Sequence, residues 1–255
     1  MLNWRNPRVY LENFLCIRNK QQKLQKLTLK PAQENLYRVI REEHQAGRPV
    51  RLIVLKGRQE GISTVTEGLM FQDAATRPMV ATLIVAHRSE STETLFKMNK
   101  LFFDCLPPAL QPMRKASNAK ELLFENPTRD EGEKRRNPGL RSKIRCATAG
   151  SGGIGRADNF NNVHLSEFAF WPGEPKELLL GIMQAVPDDP NTVVVIESTA
   201  NGYNYFQELW AGAEAGSNGW RPVFLPWYLE PEYRRSVEPG TEWTAAEREL
   251  AGTWH

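Results

Sequence analysis

The chain has little from which to build a metal centre or a disulfide scaffold. Its 255 residues include only three cysteines, Cys16, Cys105 and Cys146, and four histidines. The cysteines are odd in number and far apart. That excludes a disulfide framework and zinc-ligand spacing, and it points to a reducing compartment. The histidines are unclustered and read as surface or packing residues rather than ligands. No apolar run is long enough to span a bilayer, so no membrane partner is expected. The N-terminus mixes apolar and basic residues without the layout of a signal peptide. Internal repeats and low-complexity segments are absent. The net charge is only +3, so any case for nucleic acid must rest on local patches. What remains is ordinary globular composition, 40% hydrophobic and 25% charged, in a length that suits one large domain.

What is present is an alternation of strands and helices. Residues 1–30 read as a helical, partly basic lead-in, and Pro31 to His44 as a helix with Leu36, Val39 and Ile40 at helical spacing. Strand-like runs follow at Leu52–Leu55, Val80–Ala86, Ile144–Thr148, Val163–Leu165, Val193–Ile196 and Val223–Leu225. Helical patterns lie between them at Ser63–Ala75, Ser89–Phe103, Lys176–Ala185 and Tyr203–Ala213. This order predicts an α/β fold with a largely parallel sheet and helices on both faces. Right-handed crossovers then gather the loops after the strands on one edge, where ligands bind.

Between Leu106 and Arg141 the alternation lapses at Pro107, Pro108, Pro112, Pro127 and Pro138, with one extra strand expected at Glu121–Glu125. From Arg129 to Arg145 basic residues outnumber acidic ones. Such a run is either a solvated hairpin loop or a contact to a DNA backbone, where each cation neutralises a phosphate and releases a counterion.

Lys56-Gly57-Arg58-Gln59-Glu60-Gly61-Ile62-Ser63-Thr64 follows the run Leu52–Leu55 and opens a helix. Strand, tight loop and helix N-terminus together form the build of a phosphate-binding loop, in which backbone N–H groups and the helix dipole favour a polyphosphate. Ser63 falls where such loops place the hydroxyl that meets magnesium. Lys56 stands at the first glycine position and Ile62 at the lysine position. A loop that neutralises β- and γ-phosphates needs a cation, so Lys56 is expected to reach over from the loop's start. The competing reading is a plain strand-to-helix turn.

Three further segments follow strands. Asn162–Ser166 ends in Glu167, a carboxylate placed to polarise a water, while Ser166 fills a position where an aspartate ordinarily holds magnesium. Ser166 reaches magnesium only through a water. The alternative is a capping or pairing role for Glu167. Val193–Ile196 runs into Glu197-Ser198-Thr199-Ala200-Asn201-Gly202, whose hydroxyl and amide side chains suit a loop that loses a hydrogen bond when a phosphate leaves. A strand-to-helix turn with Asn201-Gly202 chosen for its backbone angles is the alternative. Gly150–Gly155 has dinucleotide-fingerprint spacing, but the next strand comes too soon for the crossover that fingerprint requires. Arg156, beside it, is either a mobile donor of charge to a transferring phosphoryl group or a surface arginine.

In order and spacing these pieces resemble the N-terminal packaging ATPase domain of the large terminase subunit of tailed bacteriophages and prophages, over roughly Leu29 to Tyr233. The resemblance implies a P-loop NTPase fold of the ASCE/RecA-like kind. It also implies an adenine-recognition element at Leu29–Gln33 with Gln33 reading the base, and a deviant Walker A loop at Lys56–Ser63. His164–Trp171 is similar to a Walker B variant with Glu167 as catalytic carboxylate, and Glu197–Gly202 resembles the coupling motif, with Ser198, Thr199 and Asn201 as its polar members. Arg156 falls where the family tends to carry an arginine finger acting across subunits, Arg58 is a second candidate, and Phe224–Tyr228 resembles the segment that closes the domain.

The implied function is hydrolysis of ATP with Mg2+ to drive double-stranded DNA into a procapsid. The implied setting is a homo-oligomeric ring on the portal protein, with the small terminase subunit as partner, in the host cell cytoplasm. The implied boundaries are a lead-in at 1–30, the ATPase domain at 31–235, and at 236–255 the start of a linker. The residues after Tyr233 are too few for the family's nuclease domain, so an ATPase fragment without DNA cutting is expected. Two rivals stay open. One is a translocase on single-stranded nucleic acid, for which Trp171, Trp210 and Trp227 are candidate stacking platforms, although they read better as packing residues. The other is a degenerate P-loop that binds nucleotide or DNA without turnover.

Overall fold

The computed structural model describes residues 3–118, 120–151, 154, 158–233 and 240–252. In chain order the elements are α1 (Pro7–Phe14), β1 (Cys16–Arg18), β2 (Leu24–Lys26), α2 (Pro31–Gln45), β3 (Val50–Lys56), α3 (Ile62–Thr76), β4 (Ala81–Ala86) and α4 (Ser89–Cys105). Then come β5 (Ala116–Ser117), β6 (Glu121–Phe124), α5 (Glu131–Arg136), β7 (Ser142–Thr148), β8 (Asn162–Ser166), α6 (Pro175–Met183), β9 (Val193–Ser198), α7 (Tyr205–Glu214), β10 (Arg221–Leu225) and α8 (Ala245–Gly252).

The main sheet runs β10-β3-β9-β8-β4-β7-β6-β5. Pairing is parallel from β10 through β7, and antiparallel where β6 meets β7 and β5 meets β6. The central parallel strands β3, β4, β8 and β9 are rich in Val, Ile and Leu and are buried on both faces, as the crossover helices require. Alternate residues of each strand feed two cores. Leu52 and Val54 of β3 and Val195 of β9 join the core beneath α2, α3 and α4, together with Phe71, Phe102 and Phe124. Ile53, Val194 and Ile196 join the core beneath α6 and α7. The expected strands and helices all form, with ends shifted by a few residues.

Two regions depart from the expectations. The lead-in is helical only over α1 and then folds into the antiparallel hairpin β1–β2. Its residues Tyr10, Leu11, Leu15 and Leu27 are fully buried in the first core. Gly68 of α3 lets α1 approach closely, because a Cβ there would lie 3.4 Å from Leu11 Cγ and 3.3 Å from Leu15 Cδ1. The hairpin escapes a period-2 reading because β2 is exposed throughout and has no apolar alternation. In the proline-rich stretch, β6 and β7 pair, and their connection carries the short helix α5. Lys134 pairs with Glu131, and Lys143 and Arg145 pair with Asp158. Arg129, Arg135, Arg136 and Arg141 are exposed and make no ion pair among the described residues.

Because Leu11 is wholly enclosed between α1 and α3, Leu11→Ala is expected to cost about 2–5 kcal/mol of unfolding free energy, as measured by urea denaturation. A loss of under about 1 kcal/mol would mean that the lead-in does not stabilise the main core.

Candidate functional site at the carboxyl edge of the sheet

Parallel strands put the C-terminal ends of β3, β8 and β9 side by side, with β9 between the other two. Residues of equal parity then share a face. Lys56 follows Leu52 and Val54, Glu197 follows Val195, and Ser166 follows His164 at spacings of two. All four polar side chains therefore turn toward α3, whose first turns carry Ser63 and Glu67. The result is a buried polar row within an apolar core.

Lys56 Nζ lies 2.9 Å from Glu167 Oε1 and 3.0 Å from Glu197 Oε2, with its side chain 6% exposed. Burial alone would push the ammonium down. The charges of Glu197 and Glu167 and its hydrogen bonds with them outweigh burial and hold it well above the usual lysine range. Glu197, fully buried, accepts from Ser63 Oγ at 2.7 Å and from Ser166 Oγ at 2.8 Å, both on Oε1. Burial works against its charge, yet Lys56 and His164 hold it well below the usual carboxylate range. His164 Nε2 stands 3.3 Å from the same oxygen, and its Nδ1 bonds Glu67, which also accepts from Asn99 of α4. Burial pulls His164 down, but Glu197 and Glu67 together raise it from 6.5 to about 9. Of the histidines read as surface or packing residues, this one is fully buried and bridges two carboxylates.

The 56–64 loop is shaped by its glycines. Gly61 adopts φ 71°, and a Cβ there would fall 2.4 Å from Gln33 Nε2. A Cβ on Gly57 would meet Trp227 Cα at 3.1 Å and Glu60 Oε1 at 2.7 Å. Gln59 also takes positive φ, at 57°. α3 then starts at Ile62 with no side-chain cap, so the N–H groups of its first turn have no intrahelical acceptor and face the edge. Ile62 itself is buried in the first core. Arg58 is exposed, and its carbonyl accepts from the Tyr233 hydroxyl. Thr64 is half-buried. Glu60 is 1% exposed. Burial pushes its carboxyl up to about 7, against the Gly57 backbone N–H and the charge of Lys56.

Gln33 is buried against this loop. Its Nε2 donates to the Gly61 carbonyl at 2.8 Å, and its Oε1 accepts from Lys30 N at 2.9 Å. Glu167 follows β8 in the left-handed region, at φ 51°, which turns its carboxylate back over the edge. Its Oε2 receives long contacts from Thr199 N and Oγ1, both at 3.4 Å. Ser198 Oγ accepts from Ala169 N at 3.1 Å, and Asn201 Nδ2 donates to Ala169 O at 2.9 Å. The segments 166–171 and 197–201 are thus knitted together. Trp171 is buried and donates to the Ser166 carbonyl at 3.0 Å, and Trp210 packs on the second core, as expected. Trp227 differs: it is 59% exposed, and its backbone rather than its ring packs on Gly57.

The structure therefore brings together Gln33, Lys56, Ser63, Ser166, Glu167 and Thr199. Arg156 lies outside the described residues. Glu197, His164, Glu67 and Asn99 went unremarked as site residues. Their strand parity was available in the sequence, but their convergence depends on the sheet order. His87, at the end of β4, also lies near Glu167 and Glu197, and burial lowers it. A cavity of about 270 Å³ lined by Tyr37, Arg41, His44, Asp73 and Asn162 lies at the opposite edge, where β8 and β9 begin, and contains none of these groups.

The eight-stranded, mostly parallel sheet flanked by helices is the α/β architecture expected from the sequence. No protein-family model matches the chain. Among solved structures it is similar to the large terminase of bacteriophage HK97, with a TM-score of 0.66 and 16% identity over 99% of this chain. It is also similar to the ATPase domain of the large terminase of Thermus phage P74-26, with a TM-score of 0.55 and 18% identity over 76% of this chain and 82% of that one. At such identity the likeness is one of fold: the chain has the fold of phage large-terminase ATPase domains. It spans 52% of the length of the HK97 protein.

Gly61→Ala is expected to lower thermal stability by about 1–2 kcal/mol, since a Cβ at this left-handed position is strained and displaces the Gln33 amide. An unchanged melting curve would mean that the loop relaxes freely. For His164 the folded-state value of about 9 lies above the ordinary 6.5. Its contribution is complete below about pH 6.5 and is lost as pH rises through 9, with a slope of at most about 1.4 kcal/mol per pH unit. Urea unfolding at several pH values is expected to show that decline, and His164→Gln is expected to flatten it. A variant with the same slope as the parent would rule out this proton as its source.

Proposed function

We propose that the chain is an ATPase whose turnover drives double-stranded DNA into a viral procapsid. The observation that carries this reading is the Lys56 ammonium, held at the sheet edge between Glu167 and Glu197, beside Ser63 and the uncapped start of α3. A cation was needed there to replace the one missing at position 62, and the fold likeness to terminase ATPase domains supports the same reading.

In this reading the N–H groups of the loop Lys56–Thr64 and of the first turn of α3 cradle the triphosphate, and Ser63 and Glu167 attend the magnesium, with Ser166 acting through a water. ATP with Mg2+ supplies the electrophilic γ-phosphoryl group. Lys56 exchanges Glu167 for phosphate oxygens and so frees the carboxylate to orient a water for in-line attack. Arg58 is a further cation for the developing charge. Gln33 reads the adenine by giving up its contact with Gly61, which links base recognition to loop shape. Thr199 touches Glu167, and Ser198 and Asn201 tie to Ala169, so a change at Glu167 is felt in the coupling loop.

Exposed Arg129, Arg135, Arg136 and Arg141 form a DNA-backbone contact in this reading. A homo-oligomeric ring, a portal protein, a small terminase subunit and action in the host cytoplasm belong to the same proposal.

The test is phosphate release from ATP with magnesium, with and without duplex DNA. Release from the parent chain and a loss of at least about a hundredfold in Glu167→Ala, with ATP binding kept, is the expected result. Full turnover in Glu167→Ala would remove its assigned role. Nucleotide binding without any release by the parent, even with DNA, would favour a degenerate binding module.

A further inference from the structure

Position 166 carries a serine where a carboxylate would be expected to fix the metal, and among the described residues no group of three His, Cys, Asp or Glu side chains is placed to hold one. Resting on the ATPase reading above, we propose that Glu197, one strand away on β9, is the carboxylate that holds the nucleotide's magnesium together with Ser63.

The hydroxyl bond comes first. Ser63 Oγ, the loop's metal-facing hydroxyl, donates to Glu197 Oε1 at 2.7 Å, so the two groups already share one site. Magnesium on a nucleotide keeps most of its waters and takes only one or two carboxylates besides phosphate oxygens, so one glutamate beside one serine is a sufficient protein contribution.

The sheet supplies the second argument. Glu197 pairs in register with Val54 of β3 on one side and Ser166 of β8 on the other. It therefore occupies the row between the phosphate-loop strand and the strand that lacks its acid. A carboxylate at 166 would stand beside Glu197 in the same buried row, and two like charges there repel. Serine removes the repulsion and donates to Glu197 Oε1 at 2.8 Å, which fixes the glutamate's rotamer. The acid has moved one strand over, and the serine orients it.

Third, Glu197 is fully buried, and its Oε2 meets only the Lys56 ammonium, at 3.0 Å. When Lys56 turns to phosphate, that oxygen loses its nearest cation and would be free to accept from a metal-bound water. A merely structural counter-ion to Lys56 would leave metal dependence unaffected.

The test is calorimetric binding of a non-hydrolysable ATP analogue with excess magnesium and with EDTA, alongside a melting curve for each variant. The parent chain is expected to bind more tightly with magnesium. Glu197→Gln is expected to lose that gain, roughly tenfold to a hundredfold, read as the ratio of affinities with magnesium and with EDTA in the same variant. The double variant S166D/E197Q, which returns the acid to β8, is expected to regain it. If Glu197→Gln shows no cooperative melt, the double variant decides alone, and failure to respond to magnesium overturns the assignment. An undiminished magnesium gain in Glu197→Gln overturns it and leaves the ATPase reading standing. A parent chain that binds the analogue in neither condition overturns that reading and this one with it.

Discussion

The site depends on one buried ammonium held by two carboxylates. An isolated charge in this core would cost several kcal/mol, and removing one partner from such a pair typically costs about 3–5 kcal/mol. Lys56 is 6% exposed on its side chain, so its charge persists only because Glu167 and Glu197 stand within 3.0 Å. The same argument explains why the cation is not at position 62. Ile62 is packed into the core beneath α3, and a lysine in that orientation would lose hydration without gaining either carboxylate. Moving the charge to the end of β3 lets an apolar side chain anchor the helix start and leaves the ammonium at the open edge.

A second constraint follows from strand order. With β9 between β3 and β8, its last residues touch both neighbours, and a polar side chain there has two lines of partners. Glu197 uses both. Glu167, beyond the end of β8, reaches the same ammonium only because its backbone takes left-handed angles. One carboxylate is fixed by regular pairing and the other by a strained turn, so the two are held with unequal firmness.

Most of the architecture was legible in the sequence. The central strands β3, β4 and β9 carry continuous apolar runs and α2 keeps a 3.6-residue period, so there local pattern and tertiary placement agree, whereas α3 is buried nearly all round. The hairpin β1–β2 was not legible because its second strand has no buried face. The tight turn of the 56–64 loop was legible from Gly57 and Gly61, and Lys56 was singled out by the need for charge. Glu197 was read only as the first residue of the segment that resembles the coupling motif, with no role of its own. Its parity with Val195 was visible, but which residues it would face depends on β9 being inserted between β3 and β8, and no local pattern encodes that. Trp227 was read as a packing residue rather than a stacking platform, whereas it is 59% exposed and the close approach at Gly57 is made by its backbone.

The row Asn99–Glu67–His164–Glu197–Lys56–Glu167 crosses the domain from helix α4 to the open edge as an unbroken chain of polar contacts. Apolar side chains can slide past one another at small cost, but a directional chain of this kind registers displacement at every joint. Substitutions on α4 at Asn99 are therefore near neighbours of the 56–64 loop in mechanical terms, however far apart the two lie in the sequence.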